Sequence, residues 1–297
     1  MRRKIVYLVN PVSGTREKTR LASLVRQRTE AENIPFDILP TVASGDYDFV
    51  RRKIHEEQIT DVVICGGDGT VNQVVQSLAS TKVRFGILPT GSGNGLAFAA
   101  GIPKAANKAL DIVFSGKAKL TDAFMVNDRF ACMLCGLGLD AAVAHQFAVA
   151  PKRGLGTYAS LTMRHFFSAK AYPFDIAANK VEFSTEAFFL SIANSNQFGN
   201  NFTIAPRAIL SDGLLDVVIV KKIAKPLLLV SVMKQVLGGQ LKKIENSLHA
   251  PVIYFQTPEL KINNLQGAPM HIDGEPCENP QQLSISVMPG FFNLIQA

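Results

Sequence analysis

Three short segments place glycine beside hydroxyl and amide side chains directly after apolar runs. They are Asn10-Pro11-Val12-Ser13-Gly14, Gly66-Gly67-Asp68-Gly69-Thr70 and Pro89-Thr90-Gly91-Ser92-Gly93-Asn94. Glycine lets backbone N–H groups approach an anion with no Cβ in the way. Ser13, Thr70 and Ser92 can donate hydroxyl hydrogen bonds to phosphate oxygens. Helices expected to start at Val71 and Asn94 add the positive ends of their dipoles. A single Gly-rich turn is ordinary in a doubly wound domain; three of them converging on one crevice are not. Asp68 stands inside the second turn. A carboxylate among phosphate-binding amides is repulsive unless a Mg²⁺ or a hydroxyl proton sits beside it. Asp68 therefore has a functional reason to be there.

Further acids follow in Ser211-Asp212-Gly213-Leu214-Leu215-Asp216 and in His271-Ile272-Asp273-Gly274-Glu275-Pro276. Phosphoryl transfer needs charge neutralisation and in-line placement more than a strong base. Mg²⁺ prefers carboxylates, carbonyls and water, which Asp68, Asp212 and Glu275 can supply. Asp273 and Glu275 alternate in a strand-like segment, so they are expected to face one side unless Gly274 introduces a bulge. The plainer alternative is a surface turn with two solvated acids. Asp216 is read either as support for Asp212 or as an exposed acid, and His271 as structural.

Two motifs are set aside. The chain has no G-x-x-x-x-G-K-[ST] and so is not a P-loop enzyme. Gly136-Leu137-Gly138-Leu139-Asp140-Ala141 fits G-x-G-x-x-A, but no acid follows between Ala141 and Phe174, where a dinucleotide site wants one.

The elements that must position these turns alternate in type. Strands are expected at Lys4–Val9, Phe36–Leu39, Asp61–Cys65 and Phe85–Leu88. Helices are expected at about Arg16–Glu32, Tyr47–Glu57, Val71–Ala79, Asn94–Ala100 and Ala105–Phe114. Strand alternating with helix means a parallel sheet covered on both faces, and in such sheets ligands bind beyond the carboxyl ends of the strands. After about Asp122 the texture changes to short β-like runs: Phe130–Leu134, Phe174–Ala177, Ala187–Ala193, Leu215–Val220, Val252–Phe255, Leu260–Ile262 and Leu283–Val287. Gly, Asn, Pro and Ser clusters separate them, the pattern of an antiparallel sandwich. Helical insertions are expected at roughly Tyr158–Ala169 and Pro226–Leu237. The expectation is an α/β domain over 1–122 and a β-rich domain over 123–290, with residues 291–297 returning to the first.

The chain has 297 residues, 47% hydrophobic and 19% charged, which is a globular composition with core enough for two domains. A net charge of +7 favours anionic partners such as nucleotides or acidic lipid surfaces. No nucleic-acid-reading motif is present. The amino-terminal apolar run Ile5–Val9 is too short for a signal sequence and reads as a strand. Nor is Leu227–Val232 long enough to span a bilayer. Cys132 and Cys135 form a C-x-x-C with no second pair to complete a zinc site, and read as buried, inert thiols of a reducing cytoplasm. The stretches 141–174 and 217–244 contain no acid. Their lysines and arginines lie beside apolar residues, a pattern that suits transient docking on anionic headgroups or, alternatively, a solvated basic rim.

With the motifs Asn10–Gly14 (NPVSG), GGDGTVN at Gly66, LPTGSGNGLA at Leu88, IAPRAILSDGLLDV at Ile204 and HIDGEP at His271, the sequence resembles the diacylglycerol kinase catalytic-domain family over nearly its whole length. That family includes bacterial lipid kinases and sphingosine kinases. The resemblance implies an NAD-kinase-like α/β domain, a β-rich domain and an active site in the cleft between them. It implies ATP and Mg²⁺ as cofactors, a lipid alcohol such as diacylglycerol or a sphingoid base as acceptor, and a cytoplasmic, peripherally membrane-associated protein. A homodimer is compatible with it. Carried over by motif, Asn10, Pro11, Ser13, Gly14, Thr41, Gly66, Gly67, Asp68, Gly69, Thr70, Val71, Asn72 and Ser92 form the nucleotide site. Asp212 with the backbone oxygens of Ile209 and Leu214 holds the Mg²⁺, and Glu275 accepts the proton of the lipid hydroxyl, with Asp68 as the competing base. The chain departs from many bacterial diacylglycerol kinases, which carry GTxND where it has Gly91-Ser92-Gly93-Asn94-Gly95; the GSGN form is closer to sphingosine and ceramide kinases. The alternatives are an NAD kinase-like enzyme, since GGDGT is shared, and an inactive nucleotide- or lipid-binding regulator.

Overall fold

A computed structural model describes residues 3–11, 15–139, 141–142, 169–199, 202–222 and 250–297. The helical insertions expected near 158–169 and 226–237, and most of both acid-free stretches, lie outside the described residues. The chain divides into two compact units, Met1–Thr121 with Gly290–Ala297, and Asp122–Pro289.

The first unit is built on β1 (Ile5–Val9), β2 (Phe36–Pro40), β3 (Asp61–Gly66) and β4 (Arg84–Pro89). The strands run parallel in the order β2-β1-β3-β4, with Ile5 opposite both Phe36 and Asp61, and Asp61 opposite Arg84. Helices α1 (Thr15–Ala31), α2 (Asp48–Glu57) and α3 (Asp68–Leu78) connect them, and α4 (Gly95–Ala99) and α5 (Ala106–Ser115) follow β4. β1 and β3 are nearly continuous Val/Ile/Leu runs because both sheet faces are covered, and every residue of β3 is buried. On α3, Val71, Val74, Val75 and Leu78 recur at helical spacing and all point inward. The amino ends of the strands are pinned by Asp61. It is fully buried and takes ion pairs from Arg3 at 3.1 Å and Arg84 at 2.8 Å. Arg3 also donates to the carbonyls of Val113 and Phe114 at the end of α5. Near the carboxyl terminus, Asn293 and Leu294 add a parallel partner beside Arg84 and Phe85.

Strand β5 (Lys117–Val126) leads into the second unit, where β6 (Arg129–Ala131) pairs with it antiparallel. There follow β7 (Leu134–Gly138), β8 (Tyr172–Ala178), β9 (Val181–Ala193), β10 (Gln197–Gly199), β11 (Phe202–Thr203) and β12 (Leu215–Lys221). The chain closes with β13 (Val252–Thr257), β14 (Glu259–Asn264), β15 (Met270–Ile272), β16 (Glu275–Cys277) and β17 (Gln282–Gln296). β9 is the organiser. Its first half forms a hairpin with β8, and its second half lies between β7 and β12, all antiparallel. Burial follows that division: residues 181–186 alternate in exposure, whereas most of 187–193 is buried. The β8–β9 turn is Asn179-Lys180, both with positive φ (50° and 65°), as a two-residue type I′ hairpin requires. β13 extends the sheet beyond β12, and β14 joins β8 to the first part of β17. The core mixes Phe124, Leu137, Phe174, Leu190, Ile219 and Phe255 with other apolar side chains of these strands.

Two expectations change here. The run Phe130–Leu134 is two strands, β6 and β7, broken at Cys132-Met133. The segment Asp273-Gly274-Glu275 is a tight hairpin turn between β15 and β16, with Ile272 opposite Glu275 and φ of +48° and +84° at Asp273 and Gly274. Asp273 and Glu275 therefore do not share one face of a strand. Neither are they two solvated acids, because Asp273 is buried.

Candidate functional site

In the first unit all three glycine-bearing turns leave the carboxyl ends of β1, β3 and β4, which are neighbours in the sheet. They are tied to one another. The backbone N–H of Asn10 donates to the Cys65 carbonyl at 3.0 Å, and its side-chain amide donates to the Thr70 hydroxyl at 2.9 Å. Thr90 N–H donates to the Gly66 carbonyl at 3.0 Å. The second and third turns also touch backbone to backbone: a Cβ at Gly91 would lie 2.5 Å from Gly67 Cα, and one at Gly67 would lie 3.0 Å from Gly91 Cα. A Cβ at Gly66 would meet the Thr70 side chain at 2.6 Å. Glycine is needed at these positions for close approach rather than for φ.

Asn94 closes the third turn. Its φ is +59°, its side chain is buried, and its amide exchanges two hydrogen bonds with Gly91, N–H to Oδ1 at 2.9 Å and Nδ2 to the carbonyl at 2.8 Å. Asparagine is among the few residues that tolerate the left-handed region. α4 thus starts at Gly95, one residue after its expected start. Thr41 follows β2, and its N–H bonds the Val9 carbonyl at 3.0 Å, so it too lies at this edge. Asp68 is the first residue of α3, three residues earlier than the helix was expected to begin, and is partly exposed at the positive end of the helix dipole. Val71 turns into the core and its N–H is spent on Gly67. Asn72 and Ser92 are partly exposed, and Pro11 is exposed. Ser13 and Gly14 lie outside the described residues. Cys65, at the end of β3, is buried in apolar surroundings that push its thiol well above the ordinary range and keep it inert.

In the second unit, Ile209, Asp212 and Leu214 stand on the one turn that precedes β12, with Ile209 and Asp212 exposed. The turn is fastened by residues the sequence reading did not single out. Asp122 N–H donates to the Leu210 carbonyl at 2.7 Å, and the Asp122 carboxylate accepts the Gly213 N–H at 2.7 Å. Gly213 has φ +72°, a left-handed conformation that the turn requires. Asp212 Oδ1 accepts its own turn's Leu214 N–H at 3.1 Å. Partial burial pushes the Asp212 carboxyl up, and the neighbouring charge of Asp122 adds to it.

Beneath the turn, Asp216 is buried, accepting Tyr254 O–H at 2.6 Å and Gln256 Nε2 at 3.1 Å. Burial raises its carboxyl to about 6, against the lowering effect of those two bonds. The Tyr254 hydroxyl in turn accepts Arg207 N–H at 3.1 Å, and burial together with Asp216 holds it protonated far into the alkaline range. Of the two readings of Asp216, support for the turn is what the structure shows. Among the described residues no three His, Cys, Asp or Glu side chains cluster as metal ligands. The donor set of interest here is instead one carboxylate and two main-chain oxygens.

The third acidic segment divides its labour. The Asp273 carboxylate accepts the backbone N–H groups of Cys132 at 2.9 Å, Met133 at 3.0 Å and Leu134 at 2.9 Å. This is why the chain bends at Cys132-Met133 instead of continuing as one strand. Glu275, across the turn, is exposed. His271 is buried and its Nδ1 accepts the Gly274 N–H at 3.2 Å, a structural role. Cys132 and Cys135 are buried and form no disulfide, and the Cys132 thiol lies 3.4 Å from Asp273 Oδ2. Asp122 and Tyr254 could have been found as polar residues isolated inside the apolar strands LTDAF and VIYF, a weak signal that a buried polar group has a partner.

The diacylglycerol kinase catalytic domain family matches residues 4–126, and the YegS C-terminal NAD kinase beta sandwich-like domain family matches residues 134–296. The chain therefore belongs to the diacylglycerol kinase catalytic-domain family, with a second domain of the YegS type. A Chromohalobacter salexigens protein named "Probable lipid kinase YegS-like" is 29% identical over 256 residues, 84% of this chain and 80% of that one. A Bacillus subtilis diacylglycerol kinase is 28% identical over 279 residues, 92% of this chain and 89% of that one. A crystal structure of a diacylglycerol kinase from Bacillus anthracis shares the fold, with a TM-score of 0.73 at 19% identity, covering 99% of this chain and 97% of that one. Among the described residues no helix is long and apolar enough to cross a membrane.

Proposed function

We propose that the protein transfers the γ-phosphate of ATP to a hydroxyl of diacylglycerol or a related lipid alcohol such as a sphingoid base. The observation that carries the reading is the edge where Asn10 on one side and Thr90-Gly91 on the other both fasten to the Gly66–Thr70 turn, with Asp68 at the start of α3. Backbone amides freed of Cβ atoms suit a triphosphate. The hydroxyl of Thr70, which accepts from Asn10, keeps its proton for a phosphate oxygen. Asn10, Pro11, Ser13, Gly14, Thr41, Gly66–Asn72 and Ser92 form the nucleotide site in this reading.

The turn of Asp212 suits a hard cation. Its oxygens are the right chemistry, and a second carboxylate, Asp122, lies close enough to raise the first. Asp212 and the main-chain oxygens of Ile209 and Leu214 would hold Mg²⁺, which when bound neutralises phosphate charge. Glu275 is free of structural duty and exposed, so it takes the proton of the lipid hydroxyl, with Asp68 as the alternative base. The excess of basic charge supports transient docking on anionic lipid from the cytoplasmic side.

The test incubates the protein with labelled ATP and Mg²⁺ against diacylglycerol, sphingoid base and ceramide in mixed micelles, with NAD as a separate acceptor. Labelled lipid phosphate is expected. Label in NADP alone, or in no acceptor, would refute the lipid kinase reading.

A further inference from the structure

Asn194 follows the last residue of β9 and is fully buried. Its side-chain amide donates to two main-chain carbonyls at once, Asp122 at 2.8 Å and Cys132 at 3.2 Å. Its own N–H and that of Ser195 donate to the Met133 carbonyl at 2.8 and 3.1 Å. The orientation of the amide is fixed by these partners, because turning it over would set Oδ1 against two carbonyl oxygens. As placed, Oδ1 is buried with no partner among the described residues. A fully buried amide that leaves its acceptor unmatched is held there for its two donors.

Those donors reach in two directions. Asp122 holds both sides of the Asp212 turn, through Leu210 and Gly213. Cys132 and Met133 belong to the bend whose N–H groups are held by Asp273, the residue that opens the Glu275 hairpin. An unbroken path of hydrogen bonds therefore runs within the second unit from the Asp212 turn through Asp122, Asn194 and the Cys132-Met133 bend to the Glu275 hairpin. Neither Asp212 nor Glu275 is bonded to Asn194. We infer that Asn194 is a positioning residue that couples the Asp212 turn to the Glu275 hairpin, so that both acids keep one relative placement. The coupling rests on the kinase reading only for its purpose, not for its existence.

Hydrogen exchange and steady-state kinetics of Asn194→Ala test it together. Faster exchange is expected in both the 132–134 bend and the 209–214 turn. The expected kinetic result is a kcat about ten- to a hundredfold lower with KM for ATP within about twofold, the signature of misplaced groups rather than a lost nucleotide site. If the alanine variant does not fold, Asn194→Asp keeps the shape but faces two carbonyls with a carboxylate. It should show the same exchange pattern at neutral pH and recover thermal stability relative to wild type on acidification, as its protonated form regains one donor. Exchange that rises only beside residue 194, or an unchanged kcat, would overturn the coupling. A wild-type protein with no phosphotransferase activity would refute the kinase reading, while the exchange pattern would still decide whether the two turns are linked.

Discussion

Asp273 and Glu275 flank one glycine of a two-residue turn, yet the first is buried under three backbone N–H donors and the second is exposed to solvent. The turn, with positive φ at Asp273 and Gly274, sends the two side chains to different places. Substitutions should separate them cleanly. Asp273→Ala strands three buried donors and is expected to cost about 3 kcal/mol or more, seen as a large fall in the denaturation midpoint. Glu275→Gln should leave stability within about 0.5 kcal/mol while lowering kcat by about 10²–10⁴. Equal loss of stability in both variants would contradict the division.

Gly91→Ala probes the joint between two glycine turns. The added methyl would sit 2.5 Å from Gly67 Cα, a backbone atom that cannot swing aside as a side chain could. Separating the turns is expected to cost about 1–3 kcal/mol and to weaken ATP binding at least tenfold by calorimetry. ATP affinity equal to wild type would show that the joint does not shape the nucleotide site.

Much of this was legible in the sequence, and where it was not the reasons are local. β1, β3 and β4 read correctly because a strand buried on both faces is a continuous apolar run. The glycines of the second and third turns stand out in the sequence because the two backbones meet there with no room for a Cβ. The break at Cys132-Met133 was invisible, since what ends β6 there is Asp273, 140 residues away along the chain. The Asp273-Gly274 turn was misread as strand because aspartate at positive φ leaves little compositional trace. Asn194 lies in a polar segment that looks like any loop, and its two carbonyl partners come from β5 and from the bend.

Tyr254→Phe should loosen the floor of the Asp212 turn. The hydroxyl joins Asp216 to the Arg207 N–H, so its loss leaves that N–H without this acceptor and takes from Asp216 the Tyr254 donor that stands beside the Gln256 amide. About 1–3 kcal/mol of stability is expected to go, with increased exchange at Arg207. An unaltered Tm would mean that the bridge is dispensable.

Asp68→Asn tests the competing base. Removing the charge from the first turn of α3 should cost about 0.3–1 kcal/mol through the helix dipole, a small effect. If Asp68 serves the reaction, kcat falls at least a hundredfold while the circular dichroism spectrum stays as in wild type. Retention of most activity would leave Glu275 as the base.

Tyr7 contributes, beside Cys65, to the loss of stability of the first unit in alkali. Its hydroxyl lies 2.8 Å from Thr29 Oγ1, and because the Thr29 proton goes to the Val25 carbonyl at 2.6 Å, Tyr7 is the donor. Burial raises its phenol from 10.0 to about 12. Below pH 10 the phenol is protonated in both folded and unfolded chains and has no pH effect. Between 10 and 12 the unfolded chain ionises first, so stability falls by about 3 kcal/mol across that window. Tyr7→Phe loses the hydrogen bond and should be about 1 kcal/mol less stable than wild type at pH 8. As pH rises past 10 its deficit should shrink and then reverse, although the variant still declines because the buried Cys65 thiol, also raised, remains. Denaturant unfolding at pH 8, 10 and 11.5 measures the difference, and a gap that stays constant across that series would mean the phenol does not titrate as its burial requires.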